Sequence, residues 1–233
     1  VKKALWFTVF VLNAAEAHVR QRQYLPSNDA NTAGNESLVH WNFSSPLRLE
    51  VHEFSGTLAS GSAMTLTDVE ADLAYSLGQW SAVPMFSAVP EILLSLSAGK
   101  PFRNSNPCEF ALGTDGDPDG VNNIVFTSRI NNSCSGSLAF SSGVIGLTRV
   151  RYNAVSGEII EADIQFDDTE FRFVTSANNL AASPKQVNFR DVASHELGHL
   201  FGLDHSPVRQ STMLYSIADG LGSTQSDDLL GVL

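Results

Sequence analysis

The stretch His195-Glu196-Leu197-Gly198-His199-Leu200-Phe201-Gly202-Leu203-Asp204-His205 constrains this chain more than any other part of it. Side chains four residues apart on an α-helix project from one face, so His195 and His199 can grip one ion between their rings. Glu196 lies about 100° round the same helix. It misses the ion but can reach a water bound to it. Gly202 can take a positive φ, which ends the helix and turns the chain back, so that His205 supplies a third ligand. Three protein ligands leave a fourth position for water, the arrangement of a catalytic zinc site. A structural site would fill all four positions and favour cysteine. Two histidines at helical spacing are weak evidence alone; the glycine and the third histidine at fixed spacing make the pattern specific.

The rest of the chain must therefore position one helix and a tight turn. Leu47 to Phe54 alternates apolar and polar residues, as a half-buried strand does. Leu66, Val69, Leu73, Leu77 and Trp80 recur every three or four residues, which predicts a helix over 62–83. Short strands are expected at 92–96 and 123–127, and 101–120 is loop-forming in its Asn, Asp, Pro and Gly content. Two strands, 143–152 and 158–166, are joined by a turn at 153–157. The metal-site helix spans 188–201 with Asn188 as N-cap, and a last short helix covers 226–233. The expected class is α/β (α+β): one twisted mixed sheet with about three helices, in a domain over 41–233.

Lys2 and Lys3, the nine-residue apolar run from Ala4 to Leu12 (interrupted only by Thr8), and Ala15-Glu16-Ala17 have the order of a secretory signal peptide cut after Ala17. The alternative is an ordinary buried N-terminal element. Residues 18–40 are polar and aperiodic up to Leu38, as in a linker or short pro-segment. Export agrees with an even, isolated cysteine pair: Cys108 and Cys134 suit one disulfide, worth about 3–4 kcal/mol for a loop of this length. Two unrelated thiols remain the alternative. Lys and Arg number 14 against 25 Asp and Glu, a net charge of -11 that repels phosphate backbones and disfavours nucleic acid as a partner. The apolar run is too short to span a bilayer, so no membrane anchor is expected. The expectation is a secreted monomer acting on protein or peptide.

The motif H-E-x-x-H-x-x-G-x-x-H, followed by Ser211-Thr212-Met213-Leu214-Tyr215 as a Met-turn, resembles the metzincin zinc endopeptidases. Ser206 after the third histidine resembles the matrixin, or matrix-metalloprotease-like, branch. That resemblance implies His195, His199 and His205 as ligands of one catalytic zinc, Glu196 as general base and Met213 as an apolar floor beneath the metal. It makes Gly146 to Arg149 the edge strand that pairs with substrate. It also places Asp167 and Glu170 where matrixins supply calcium-binding carboxylates. Asp115, Asp117 and Asp119 before Gly120 resemble the opening of a second calcium loop, without its closing glutamate. For both clusters a solvated acidic turn is the alternative. Tyr215 follows Met213 by two residues, a spacing like that of the astacin and serralysin branches, where the tyrosine is an extra ligand or transition-state donor; a tyrosine packed on the turn is the alternative.

The chain also departs from the family. The other histidines, His18, His40 and His52, lie outside the region where animal matrixins bind a structural zinc, so one zinc is expected. No cysteine precedes Cys108, so latency by a thiolate ligand is not expected. Two other classes remain open: a non-catalytic binding or adhesion domain on the same fold, and a zinc hydrolase of non-peptide esters or amides.

Overall fold

The computed structural model describes residues 22–24, 36–42, 47–51, 64–81, 93–96, 120–126, 143–153, 156–175 and 185–215. Its centre is a mixed sheet built from β4 (Arg48–Val51), β5 (Leu93–Leu96), β6 (Asn122–Phe126), β7 (Gly146–Tyr152) and β8 (Glu158–Phe166). Their order across the sheet is β5-β4-β6-β8-β7. All these neighbours run parallel except β7, which lies antiparallel to β8. A two-residue strand, β3 (His40–Trp41), pairs with the start of β8.

The antiparallel pair is joined where expected: Gly157, at φ 77°, closes the turn and donates its N–H to the Asn153 carbonyl. The parallel strands need long crossovers. One holds helix α1 (Leu66–Ser81), which lies inside the expected span. Thr65 caps it, accepting from the Asp68 N–H at 3.3 Å while Asp68 accepts from the Thr65 N–H at 2.8 Å. This is a capping box with aspartate in the glutamate position.

Helix α2 (Phe189–Leu200) starts at Asn188, whose side chain accepts from the Arg190 N–H at 3.0 Å, so the expected N-cap is present. The two helices pack through apolar and polar contacts alike. Trp80 donates to the Ser194 carbonyl at 2.9 Å, and Arg190 pairs with the buried Asp72 at 2.6 Å while lying over the Tyr75 ring. Phe126, Phe166, Phe173 and Phe189 fill the space between sheet and α2, with ring centroids 4.9–6.2 Å apart. Losing one such ring costs about 3–5 kcal/mol.

Three features differ from the sequence expectation. Residues 22–24 (β1) and 36–38 (β2) pair as antiparallel strands inside the segment read as an aperiodic linker. They are three residues each, too short and polar to show an alternation. Val39 is buried and His40 opens β3, so the folded domain reaches back beyond Trp41. Between β8 and α2, the parallel strands β9 (Arg172–Val174) and β10 (Gln186–Asn188) feed the chain into the helix. The expected last helix, the signal segment, both cysteines and Asp115, Asp117 and Asp119 lie outside the described residues. Among the described residues there are two helices, and neither is long and apolar enough to cross a membrane.

Candidate metal centre

The three histidines converge. His195 Nε2 and His199 Nε2 are 3.1 Å apart, and His205 Nε2 is 3.2 Å from each. Among the described residues this is the one group of three or more potential ligands gathered closely enough to hold an ion. The backbone sets the ring orientations. His195 Nδ1 is 2.8 Å from the Thr212 carbonyl, and His199 Nδ1 is 2.8 Å from the Leu203 carbonyl. A carbonyl only accepts, so each Nδ1 carries the proton and each Nε2 presents a bare lone pair. Lone pairs facing one another repel; a cation between them turns that repulsion into ligation. Four ligands about 2.0–2.1 Å from zinc in a tetrahedron sit about 3.3–3.4 Å from one another, close to the separations found. Burial, then the neighbouring imidazoles, hold His199 well below the usual histidine range, and burial lowers His205. Neutral imidazole is the ligating form.

The turn that delivers His205 forms as the sequence requires. Gly202 has φ 88°. The Leu203 N–H donates to the Gly198 carbonyl at 3.0 Å and the Gly202 N–H to the His199 carbonyl at 2.9 Å, satisfying the last helical carbonyls. Gly202 has a second reason to lack a side chain: a Cβ there would lie 2.8 Å from the Val39 carbonyl oxygen. Trp41 donates its indole N–H to the Leu200 carbonyl at 2.7 Å, closing the helix end from the N-terminal side.

Beneath the histidines, the segment 211–215 folds back under α2. The Ser206 N–H donates to the Met213 carbonyl at 2.7 Å, and Met213 is 2% exposed. Its thioether occupies the space that a side chain at Gly198 would need: a Cβ there would overlap Met213 Sδ and come within 2.9 Å of Trp80 Cζ2. Methionine can shift, but the buried Trp80 ring is held by its bond to Ser194. Gly198→Ala is therefore expected to cost about 2–3 kcal/mol by overpacking, a fall of roughly 5–10 °C in Tm. A thermal scan of the metal-free variant matching that of the parent would show that this contact has slack.

Glu196 is 4% exposed and faces β7. The Thr148 hydroxyl donates to its Oε2 at 2.7 Å, and Gly146 lies so near that a Cβ there would be 2.6 Å from Oε1. Burial raises the Glu196 carboxyl to about 7, with the Thr148 bond opposing the shift. A dication at the three histidines favours the anion.

The remaining candidates are placed differently. Asp167 Oδ1 accepts from the Thr169 N–H, the Thr169 hydroxyl and the Glu170 N–H at 2.6–3.1 Å, which closes a turn on itself. Glu170 accepts from the Gly143 N–H and lies 3.7 Å from Lys185 Nζ. Both carboxylates thus have partners within the protein. Tyr215 is 75% exposed at the end of the turn. Sequence reading placed Gly146 to Arg149 at the substrate edge but missed the contacts of Thr148 and Gly146 with Glu196, and it missed Trp41 at the helix end. All three act across long sequence separations, and no local pattern marks them.

Residues 146–232 match the model of the matrixin family. That segment carries β7, β8, the three histidines, Glu196 and Met213. No curated protein matches the sequence. The matched segment and the converging histidines agree: over residues 146–232 this chain is similar to the matrixin family.

Proposed function

We propose that the protein is an exported zinc-dependent endopeptidase. The observation that carries this reading is the convergence of three histidine Nε2 atoms beside a buried glutamate, on a helix and its following turn next to a strand edge. His195, His199 and His205 would hold the ion. Zinc bound there supplies Lewis-acid polarisation of a carbonyl and lowers the pKa of water.

The protein's own groups supply the rest. Glu196 takes a proton from the attacking water and delivers it to the leaving amine, with the Thr148 hydroxyl holding its carboxylate at 2.7 Å. Strand β7 borders the sheet, and β8 is its sheet neighbour among the described residues. An extended peptide can add alongside it through main-chain hydrogen bonds, which favours peptide over a compact ester as substrate. The apolar run and small-residue site at the N-terminus support export.

The test is cleavage of an unfolded protein by the full chain with and without zinc. Activity that is lost to a chelator, restored by one equivalent of zinc and blocked by a hydroxamate is expected. Elemental analysis should give one tight zinc per chain. Two tight zinc ions would overturn the single-site assignment. Zinc binding without any cleavage would favour a binding domain, and turnover of simple esters alone would favour a non-peptide hydrolase.

A further inference from the structure

We propose that Thr148 is a positioning residue for Glu196: its hydroxyl holds the carboxylate by one oxygen and leaves the other for proton transfer. The inference rests on the peptidase reading above and adds a residue to it.

The argument begins with the glutamate. Three rotatable bonds separate its carboxylate from the backbone, so helix α2 alone fixes only where the side chain starts. A proton-transfer group must be held far more closely than that, because a misplacement of about 1 Å costs on the order of a hundredfold in rate. What fixes the carboxylate here comes from β7, 48 residues earlier in the chain. Thr148 Oγ1 lies 2.7 Å from Glu196 Oε2 and 3.0 Å from the Glu196 carbonyl oxygen. A hydroxyl has one proton, and the carboxylate is both the closer and the stronger acceptor. The distance is near the range of charge-assisted O–H···O bonds.

Gly146 completes the hold. Residues two apart on a strand share a face, so positions 146 and 148 both meet Glu196. The missing side chain at Gly146 makes room for Oε1 and Cγ: any Cβ would lie 2.6–2.9 Å from them. Threonine also suits its task conformationally. Branching at Cβ restricts χ1, so the hydroxyl is presented in a set direction without a large loss of freedom on folding. The strand proposed to receive the peptide thus also orients the base, which ties the position of the scissile bond to that of the proton acceptor through one rigid element.

The test compares Thr148→Val, which keeps the shape and removes the hydroxyl, with Thr148→Ser, which keeps the hydroxyl. Wild type is assayed in parallel on an unfolded protein in zinc. For Thr148→Val, kcat should fall about 10- to 100-fold with KM within about twofold. Zinc affinity should be unchanged by chelator competition, and Thr148→Ser should recover to within a few-fold of wild type. A structure of the zinc-loaded Val variant should show the Glu196 carboxylate rotated or in more than one position. Unchanged kcat in Thr148→Val, a change confined to KM, or a Ser variant no better than Val would overturn the proposal. If Thr148→Val does not fold, Gly146→Ala tests the same hold from the other oxygen, and normal kcat there overturns it equally. An inactive wild type would instead refute the peptidase reading itself.

Discussion

Glu196→Ala, loaded with zinc, is expected to lose about 10²–10⁴-fold in kcat/KM, or roughly 3–5 kcal/mol of transition-state stabilisation. Its zinc content should match the parent's, because Glu196 is held against β7 and is no member of the converging histidine group. Stability should change little, for two reasons. The substitution removes a buried carboxylate, whose charge is costly to desolvate. It also strands no donor, since the Thr148 hydroxyl keeps the main-chain carbonyl of residue 196 as an acceptor at 3.0 Å. The measurement is steady-state cleavage beside elemental analysis on the same preparation. Peptidase activity close to the parent's in zinc-loaded protein would refute Glu196 as the base.

His199→Ala should have the opposite profile, an intact fold with a failed metal site. His199 Nε2 lies 3.1–3.2 Å from both other ring nitrogens, so its removal leaves two ligands where three converge. Zinc affinity should fall well beyond the roughly 10–100-fold that loss of an outer hydrogen-bonding partner costs. Zinc at about 100 times its dissociation constant stabilises the parent by about 2.7 kcal/mol, a rise of roughly 5–10 °C in Tm for a chain of this size. That rise should disappear in the variant. Without metal the variant should melt close to the parent, because relief of the facing ring nitrogens offsets the lost bond from His199 Nδ1 to the Leu203 carbonyl. Thermal scans with and without zinc check both halves, and tight stoichiometric zinc in the variant would contradict the ligand assignment.

The parts of this protein visible in its sequence are those determined over a few residues. The positions of His195, Glu196 and His199 follow from helical geometry, and the turn at Gly202 follows from its need for a positive φ. The strands around residues 153–157 were legible because turn chemistry and apolar alternation agree there. Asn188 was readable as a cap because capping is a local hydrogen bond. The rest depends on pairs far apart in sequence. Gly198 lacks a side chain because Met213 and Trp80 occupy the space, and the second lies 118 residues before it. Trp41 reaches Leu200 across 159 residues. Strands β1, β2, β9 and β10 are three residues long, shorter than any window in which an alternation can be detected. The acidic residues near Phe166 illustrate the converse. The family resemblance suggests a cation there, whereas in the structure Asp167 Oδ1 accepts from the N–H groups of its own turn.

The close approach of the Val39 carbonyl to Gly202 sets a boundary for trimming the chain. Val39 covers the turn that carries His205, and Trp41 holds the last carbonyl of the histidine-bearing helix. The two residues clamp the metal site from outside, although they lie about 160 positions before the residues they touch. A maturation cut before Val39 leaves the clamp in place, whereas one after Trp41 exposes the apolar seam under the turn and releases the helix end. The smallest form of the protein that keeps this site intact is therefore expected to begin at or before Val39, and a cut beyond Trp41 would disturb the three histidines without removing one.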